Sequence, residues 1–196
     1  MSINLSNFQG IKYRLCDNWL STLPVDKYAR SPMKYLEIGT LCGANLLSVA
    51  QTFGRHPESE LHCIDPWEDY EEYHEFKTRQ ATHFDMFQSN VAKTDEQTQR
   101  KIKVHRGYSH LEVPKLEDNA FDIIYIDGNH LPEYVLEDAV LCFRKLKPEG
   151  IMIFDDYGWG GPDMTKRGID GFLNGYHKRI QRLGQKASQV FIRKLQ

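Results

Sequence analysis

Six short β-rich runs, residues 34–38, 60–64, 101–106, 121–126, 150–154 and 189–194, recur along the chain with helix-period segments between them. That alternation constrains the fold most, because neighbouring parallel strands need long crossovers and helices are what fill them. Several runs are apolar at consecutive positions, as in Phe121-Asp122-Ile123-Ile124-Tyr125-Ile126, which suits a strand covered on both faces. The expected fold class is α/β, a three-layer α/β/α sandwich around a mostly parallel sheet.

The helices are read from spacing. Leu46, Leu47, Ala50 and Phe53 share one face after Gly43, and Val135, Leu136, Ala139, Val140, Phe143 and Leu146 do so after Pro132, a residue suited to open a helix. Residues 66–100 are acidic and aromatic, with Tyr70, Tyr73, Phe84, Phe87 and Val91 at steps of three and four or their sums, and are expected to form an inserted helical lid or, equally, a surface helix that only caps the core. Residues 1–33 are expected to form a helical extension, with Leu15, Trp19, Leu20 and Leu23 on a short amphipathic helix before Pro24. At 196 residues, with no internal repeat, one domain over 1–196 is expected.

Composition excludes several classes. A formal net charge of −2 lacks the basic excess of a nucleic-acid groove or a surface that binds anionic membrane. The longest apolar runs, such as residues 123–126 and 151–154, fall far short of the roughly 20 residues a membrane helix needs. No secretory signal opens the chain, so a cytoplasmic location is expected. Cys16, Cys42, Cys63 and Cys142 form no C-x-x-C pair, which argues against structural zinc and a disulfide framework. Association into a homo-oligomer is left open.

The first strand runs into Glu37-Ile38-Gly39-Thr40-Leu41-Cys42-Gly43, a glycine turn leading to a helix N-terminus. A dinucleotide site would need G-x-G-x-x-G for its pyrophosphate. Here the middle glycine is missing and Glu37 adds negative charge, which disfavours NAD and favours a ligand with a cationic end. S-adenosylmethionine carries both an ammonium and a sulfonium. Asp65 ends the second strand, where open α/β sheets place an acid for ribose hydroxyls, and Tyr108 and Ser109 follow the third, where adenine could lie. The plainer reading is that Asp65 opens a turn and Ser109 caps a helix. Cofactor candidates are thus Glu37, Gly39, Thr40, Gly43, Asp65, Tyr108, Ser109 and Asp127.

The fourth strand runs into Asp127-Gly128-Asn129-His130 and the fifth into Asp155-Asp156-Tyr157. Carboxylates gathered at one sheet edge repel each other unless a cation joins them. Oxygen ligands with positions left for water and substrate suit Mg²⁺, so Asp127, Asp155 and Asp156 are the metal candidates. The alternative is that they merely end strands and bind backbone N–H groups. Histidine suits softer metals, so His130 is read as a base, with Asp127 as the second catalytic candidate. The implied chemistry is methyl transfer to a hydroxyl of a small molecule, with the acceptor oxygen held in line and deprotonated, in a pocket that residues Trp67 to Phe87, with Trp159 and Pro162, are expected to wall.

Together, Y-L-E-I-G-T-L-C-G, C-I-D-P-W, I-D-G-N-H and I-M-I-F-D-D-Y resemble the class I S-adenosylmethionine-dependent methyltransferases, within them the small metal-dependent sugar O-methyltransferases of macrolide and aminocoumarin pathways, and more distantly catechol O-methyltransferase. The resemblance spans about residues 34–157 and extends to 168–195. It implies a Rossmann-like, seven-stranded sheet whose last strand, 189–194, runs antiparallel. It also implies that Glu37, Gly39 and Asp65 hold the cofactor and that Asp127, Asp155 and Asp156 hold Mg²⁺. In one departure, Asn129 stands where those sugar enzymes carry an acidic residue taken as the base, so His130, His110, Lys166 or water on the metal must serve. The rivals are a metal-independent methyltransferase, a non-catalytic cofactor-binding module and a phosphoribosyltransferase, the last disfavoured because no threonine-glycine loop follows the aspartate pair.

Overall fold

A computed structural model describes residues 7–69 and 79–196. Its centre is one seven-stranded sheet in the order β3-β2-β1-β4-β5-β7-β6. The strands are β1 (Lys34–Ile38), β2 (Glu60–Asp65), β3 (Ile102–Arg106), β4 (Phe121–Ile126), β5 (Leu146–Phe154), β6 (Ile180–Lys186) and β7 (Gln189–Lys194). Pairing from β3 through β5 is parallel, and β7 is antiparallel to both β5 and β6. The expected three-layer sandwich with an antiparallel last strand is therefore present.

Because alternate strand residues face opposite ways, the central strands feed two cores. Leu36, Ile38, Ile124, Ile126, Met152 and Phe154 pack beneath α6 (Pro132–Lys145) and α7 (Thr165–Gly175). Tyr35, Ile123, Tyr125, Ile151 and Ile153 pack with Trp19, Leu46, Phe53 and Phe87 on the other face. The last three come from α2 (Ala44–Gln51), the turn after it, and α3 (Gln80–Ala92).

Three expectations shift. The strand β6 was not read, because Ile180-Gln-Arg-Leu-Gly-Gln-Lys is an outer edge with mostly exposed side chains and a register break between Arg182 and Gly184. The N-terminal segment Leu15–Ser21 is a 3₁₀ helix, whose period of three turns Cys16 and Trp19 inward and leaves Leu20 51% exposed, against the α-helical spacing expected. The segment expected to form a lid or a capping helix does hold helices, α3 and α4 (Glu96–Lys101), and Trp67 is fully buried and packs in tilted contact with Phe84 and Phe87, ring centres 4.9 Å from each, facing the core. Tyr70 and Tyr73 lie outside the described residues. Among the described residues, no helix is long and apolar enough to cross a membrane, and all four cysteines are buried free thiols.

Candidate functional site

The ends of β1, β2, β4 and β5 are bound into one shelf by ladder bonds that run past the strands. Gly39 donates its N–H to the Ile64 carbonyl at 2.9 Å, Asp127 to Ile38 at 2.8 Å and Asp155 to Ile126 at 3.0 Å. Above this shelf opens a cleft of about 1720 Å³, larger than the roughly 300–1,000 Å³ of a single-ligand pocket and so roomy enough for two ligands side by side. Its lining includes Glu37, Gly39, Thr40, Asp65, Tyr108, Ser109, Asp127, His130, Asp155 and Asp156. Of the cofactor and metal candidates named from the sequence, Gly43 is the one outside this lining.

Gly43 instead starts α2 in the left-handed region, at φ 85°, and a Cβ there would sit 2.9 Å from the Phe87 ring. Gly39, at φ 80°, is more tightly constrained, since a Cβ would fall 1.9 Å from the Asp127 carbonyl oxygen. Two backbone segments meet there and neither can swing aside. Gly39→Ala is therefore expected to destabilise the fold by about 3 kcal/mol or more in urea titration. Gly175→Ala, with open space around the position, should cost nothing measurable.

Asp65 shows why the turn takes this shape. Its Oδ2 accepts the N–H groups of Thr40 and Leu41, each at 2.9 Å, and its Oδ1 accepts that of Trp67 at 2.8 Å. The carboxylate thus ties the glycine turn to the end of β2. Glu37 is 1% exposed. Its Oε2 accepts from the Tyr35 hydroxyl at 2.6 Å and the Asn45 amide at 2.9 Å, while Asn45 Oδ1 accepts the Cys16 N–H at 2.7 Å. Burial pushes the Glu37 carboxyl up to about 7, against the lowering effect of these donors.

The acidic end of the cleft divides into two roles. Asp155 is buried, and its carboxylate accepts from Tyr125, from Gln189 at 3.2 Å, from Ser188 at 3.1 Å and from the Asp156 N–H at 2.7 Å. Four donors fill the roughly four lone-pair sites of a carboxylate. Asp127, His130 and Asp156, by contrast, bring one ligand atom each to within 4.8 Å of one another. The cluster the structure assembles thus takes in His130 where the sequence reading had Asp155, because Tyr125, Ser188 and Gln189 draw the Asp155 side chain away. The signal for this bracing was the tyrosine two residues before Asp127 together with the polar Ser188-Gln189 pair, and it went unread. Gln189 also accepts from the Trp19 indole at 3.0 Å, so the N-terminal segment buttresses Asp155.

Burial, and then the nearby Asp155 and Asp156 carboxylates, push the Asp127 carboxyl well above its ordinary range. That is the electrostatic condition a cation relieves. His130 Nε2 lies 3.0 Å from Asp156 Oδ2 and its ring 4.8 Å from that of Trp159, which is 40% exposed at the cleft wall. Asn129 accepts the Leu131 N–H at 2.8 Å and so shapes the turn before α6. Of the other base candidates, His110 lines the cleft, whereas Lys166 pairs with Asp170 and lies over the Tyr157 ring. The wall expected from Trp67 to Phe87 with Pro162 is built differently, since Arg79, Gln80, Thr82, His83 and Met86 face the cleft and the Trp67, Phe84 and Phe87 rings do not.

A profile described as a methyltransferase domain matches residues 36–157. The chain belongs to this methyltransferase family, and its class is that of the S-adenosylmethionine-dependent, Rossmann-like methyltransferases. Solved structures share the fold at low identity. An O-methyltransferase from Bacillus cereus, in complex with SAH, superposes with a TM-score of 0.66 at 16% identity over 97% of this chain and 86% of that one. TomG from Streptomyces achromogenes, an O-methyltransferase of tomaymycin synthesis in complex with SAM, gives 0.60 at 16% over 97% and 82%. The MycE methyltransferase of the mycinamycin pathway, in complex with Mg and SAH, gives 0.59 at 17% over 92% of this chain and 48% of that one. No curated protein sequence matches the chain.

Proposed function

We propose that the chain transfers the methyl group of S-adenosylmethionine to a hydroxyl of a small molecule, sugar or phenol, with a divalent cation at the acceptor end of the cleft. The observation that carries this reading is the placement of Glu37 and the Asp127–Asp156 cluster on one continuous shelf, a buried acid for a cationic donor beside an acidic cluster for a metal ion. The residues fit both groups. Glu37 meets the amino-acid end of the donor, Gly39 and Thr40 let it approach the backbone, and Asp65, Tyr108 and Ser109 flank its nucleoside. Asp127 and Asp156 hold the ion, consistent with Mg²⁺, which is usually bound by one or two carboxylates with water and substrate completing the shell.

Bound there, the ion supplies acidification and fixed placement of the acceptor hydroxyl. The rest falls to the chain's own side chains. Asp155, saturated by its donors, keeps the loop after β5 in place and holds the Asp156 backbone through its N–H. His130, oriented by Asp156, takes the acceptor's proton, a role that Asn129 cannot fill because an amide does not accept one at neutral pH. The MycE complex with Mg and SAH and the SAM complex of TomG lend the reading support by fold likeness.

Calorimetric titration with S-adenosylmethionine and with NAD, each with and without Mg²⁺, tests it. The donor should bind and NAD should not; NAD binding alone would overturn the reading. Trp159 beside His130 walls the acceptor end. Trp159→Ala is therefore expected to raise the acceptor KM about tenfold, the value of one aromatic contact, with the Kd for S-adenosylhomocysteine unchanged. An unaltered KM would remove Trp159 from the acceptor site.

A further inference from the structure

Resting on that donor reading, we propose that Asp138 of α6 is the residue that recognises the nucleobase, by accepting a hydrogen bond from the exocyclic amino group of adenine.

Asp138 lies on the buried face of α6, 3% exposed, yet it is part of the cleft lining. Its neighbours there are Ser109, at the start of α5 (Ser109–Glu112), and Gly128, just past β4. The Ser109 hydroxyl faces the carboxyl. A Cβ on Gly128 would come 3.2 Å from Asp138 Oδ2, so glycine keeps this side chain open to the shelf. Asp138 Oδ1 makes no hydrogen bond among the described residues. A buried oxygen without a donor is costly, and an acid placed so is expected to meet one in the liganded state. Burial pushes this carboxyl up to about 7, the mark of a group that no cation compensates.

The surroundings specify the kind of donor. Ile38, Ile64 and Tyr108 give this end of the cleft apolar and aromatic walls, which suit a flat heterocycle. Above its raised pKa the carboxylate can only accept. Adenine presents an amino group at its six position, whereas hypoxanthine presents a carbonyl oxygen there, which a carboxylate repels. One buried acceptor thus separates an aminopurine nucleoside from its deaminated counterpart. The sequence pattern does not single out Asp138, because it sits within a helix whose periodicity reads as core.

The test is direct binding by calorimetry at pH 8, with S-adenosylhomocysteine and S-inosylhomocysteine as probes. The native chain should bind the adenosyl compound and hold the inosyl compound about 30-fold more weakly, as sites built to pair a polar group reject its mismatch. In Asp138→Ala that ratio should fall to within about threefold. Asp138→Asn keeps the packing, and its amide N–H can meet the inosyl oxygen, so its ratio should fall too. Equal binding of the two probes by the native chain, or an unchanged ratio in either variant, overturns the assignment of Asp138 and leaves the donor reading intact. Failure of the native chain to bind either probe overturns the donor reading itself.

Discussion

Glu37→Gln is expected to weaken binding of S-adenosylhomocysteine by about 100-fold, roughly 2.7 kcal/mol, while leaving the fold intact. The glutamine keeps the shape, and its carbonyl can still accept from Tyr35 and Asn45, so the lost term is the charge that meets the ligand's ammonium. The pH profile makes this specific. Since burial raises the Glu37 carboxyl to about 7, the free protein must release a proton there to take a cationic ligand. Affinity should therefore rise with pH up to about 7 and level off above it, falling by as much as about tenfold per unit below. Stability runs the other way. An acid whose folded value is raised favours the fold below its ordinary unfolded value, and this contribution is lost between about 4.5 and about 7 as pH climbs. In Glu37→Gln both slopes attributable to this group should vanish. A variant that binds as the native chain does, with the same pH profile, would show that Glu37 is only a structural acid.

The second large effect is expected at Asp127. Asp127→Asn should lower kcat for methyl transfer by about 1,000-fold, and a chelator should lower native activity to a similar extent, because both remove the acidification and placement of the acceptor. Binding of S-adenosylhomocysteine without added metal should change by less than about fivefold. Because burial and the neighbouring carboxylates disfavour the charged form of Asp127, a neutral amide fits the same place, and Asp127→Asn should be no less stable than the native protein in the absence of metal. Chelator-insensitive transfer, or full activity of the variant, would assign the cluster a structural role and return the chain to the metal-independent reading.

The sheet was largely legible in the sequence because its central strands are buried on both faces and stand out as apolar runs. β1, β4 and β7 carry the boundaries expected, as at Lys34–Ile38 and Phe121–Ile126. β6 was hidden because an edge strand needs no such run, and Gln181, Arg182 and Gln185 read as loop. In the site, the acids were legible because they sit where strands end, a property of spacing. Which acid faces the cleft and which is turned to its own donors depends on partners far along the chain. Asp155 is bound by Ser188 and Gln189, and Asn45 reaches back to Cys16, pairings that no local pattern encodes. Trp67 misled for the same reason, since its aromatic neighbours suggested a pocket wall while its indole N–H is bound to the Leu41 carbonyl at 2.8 Å in the core.

The central claim is that one shelf of strand ends seats a cationic methyl donor at Glu37 next to the acidic cluster. A crystal structure of the chain with S-adenosylhomocysteine and Mg²⁺ tests this most directly. The account predicts the ligand's ammonium within hydrogen-bond distance of the Glu37 carboxylate, its base beside Ser109 and an ion between Asp127 and Asp156. Ligand density elsewhere on the molecule, or a ligand whose ammonium faces away from Glu37, would contradict it.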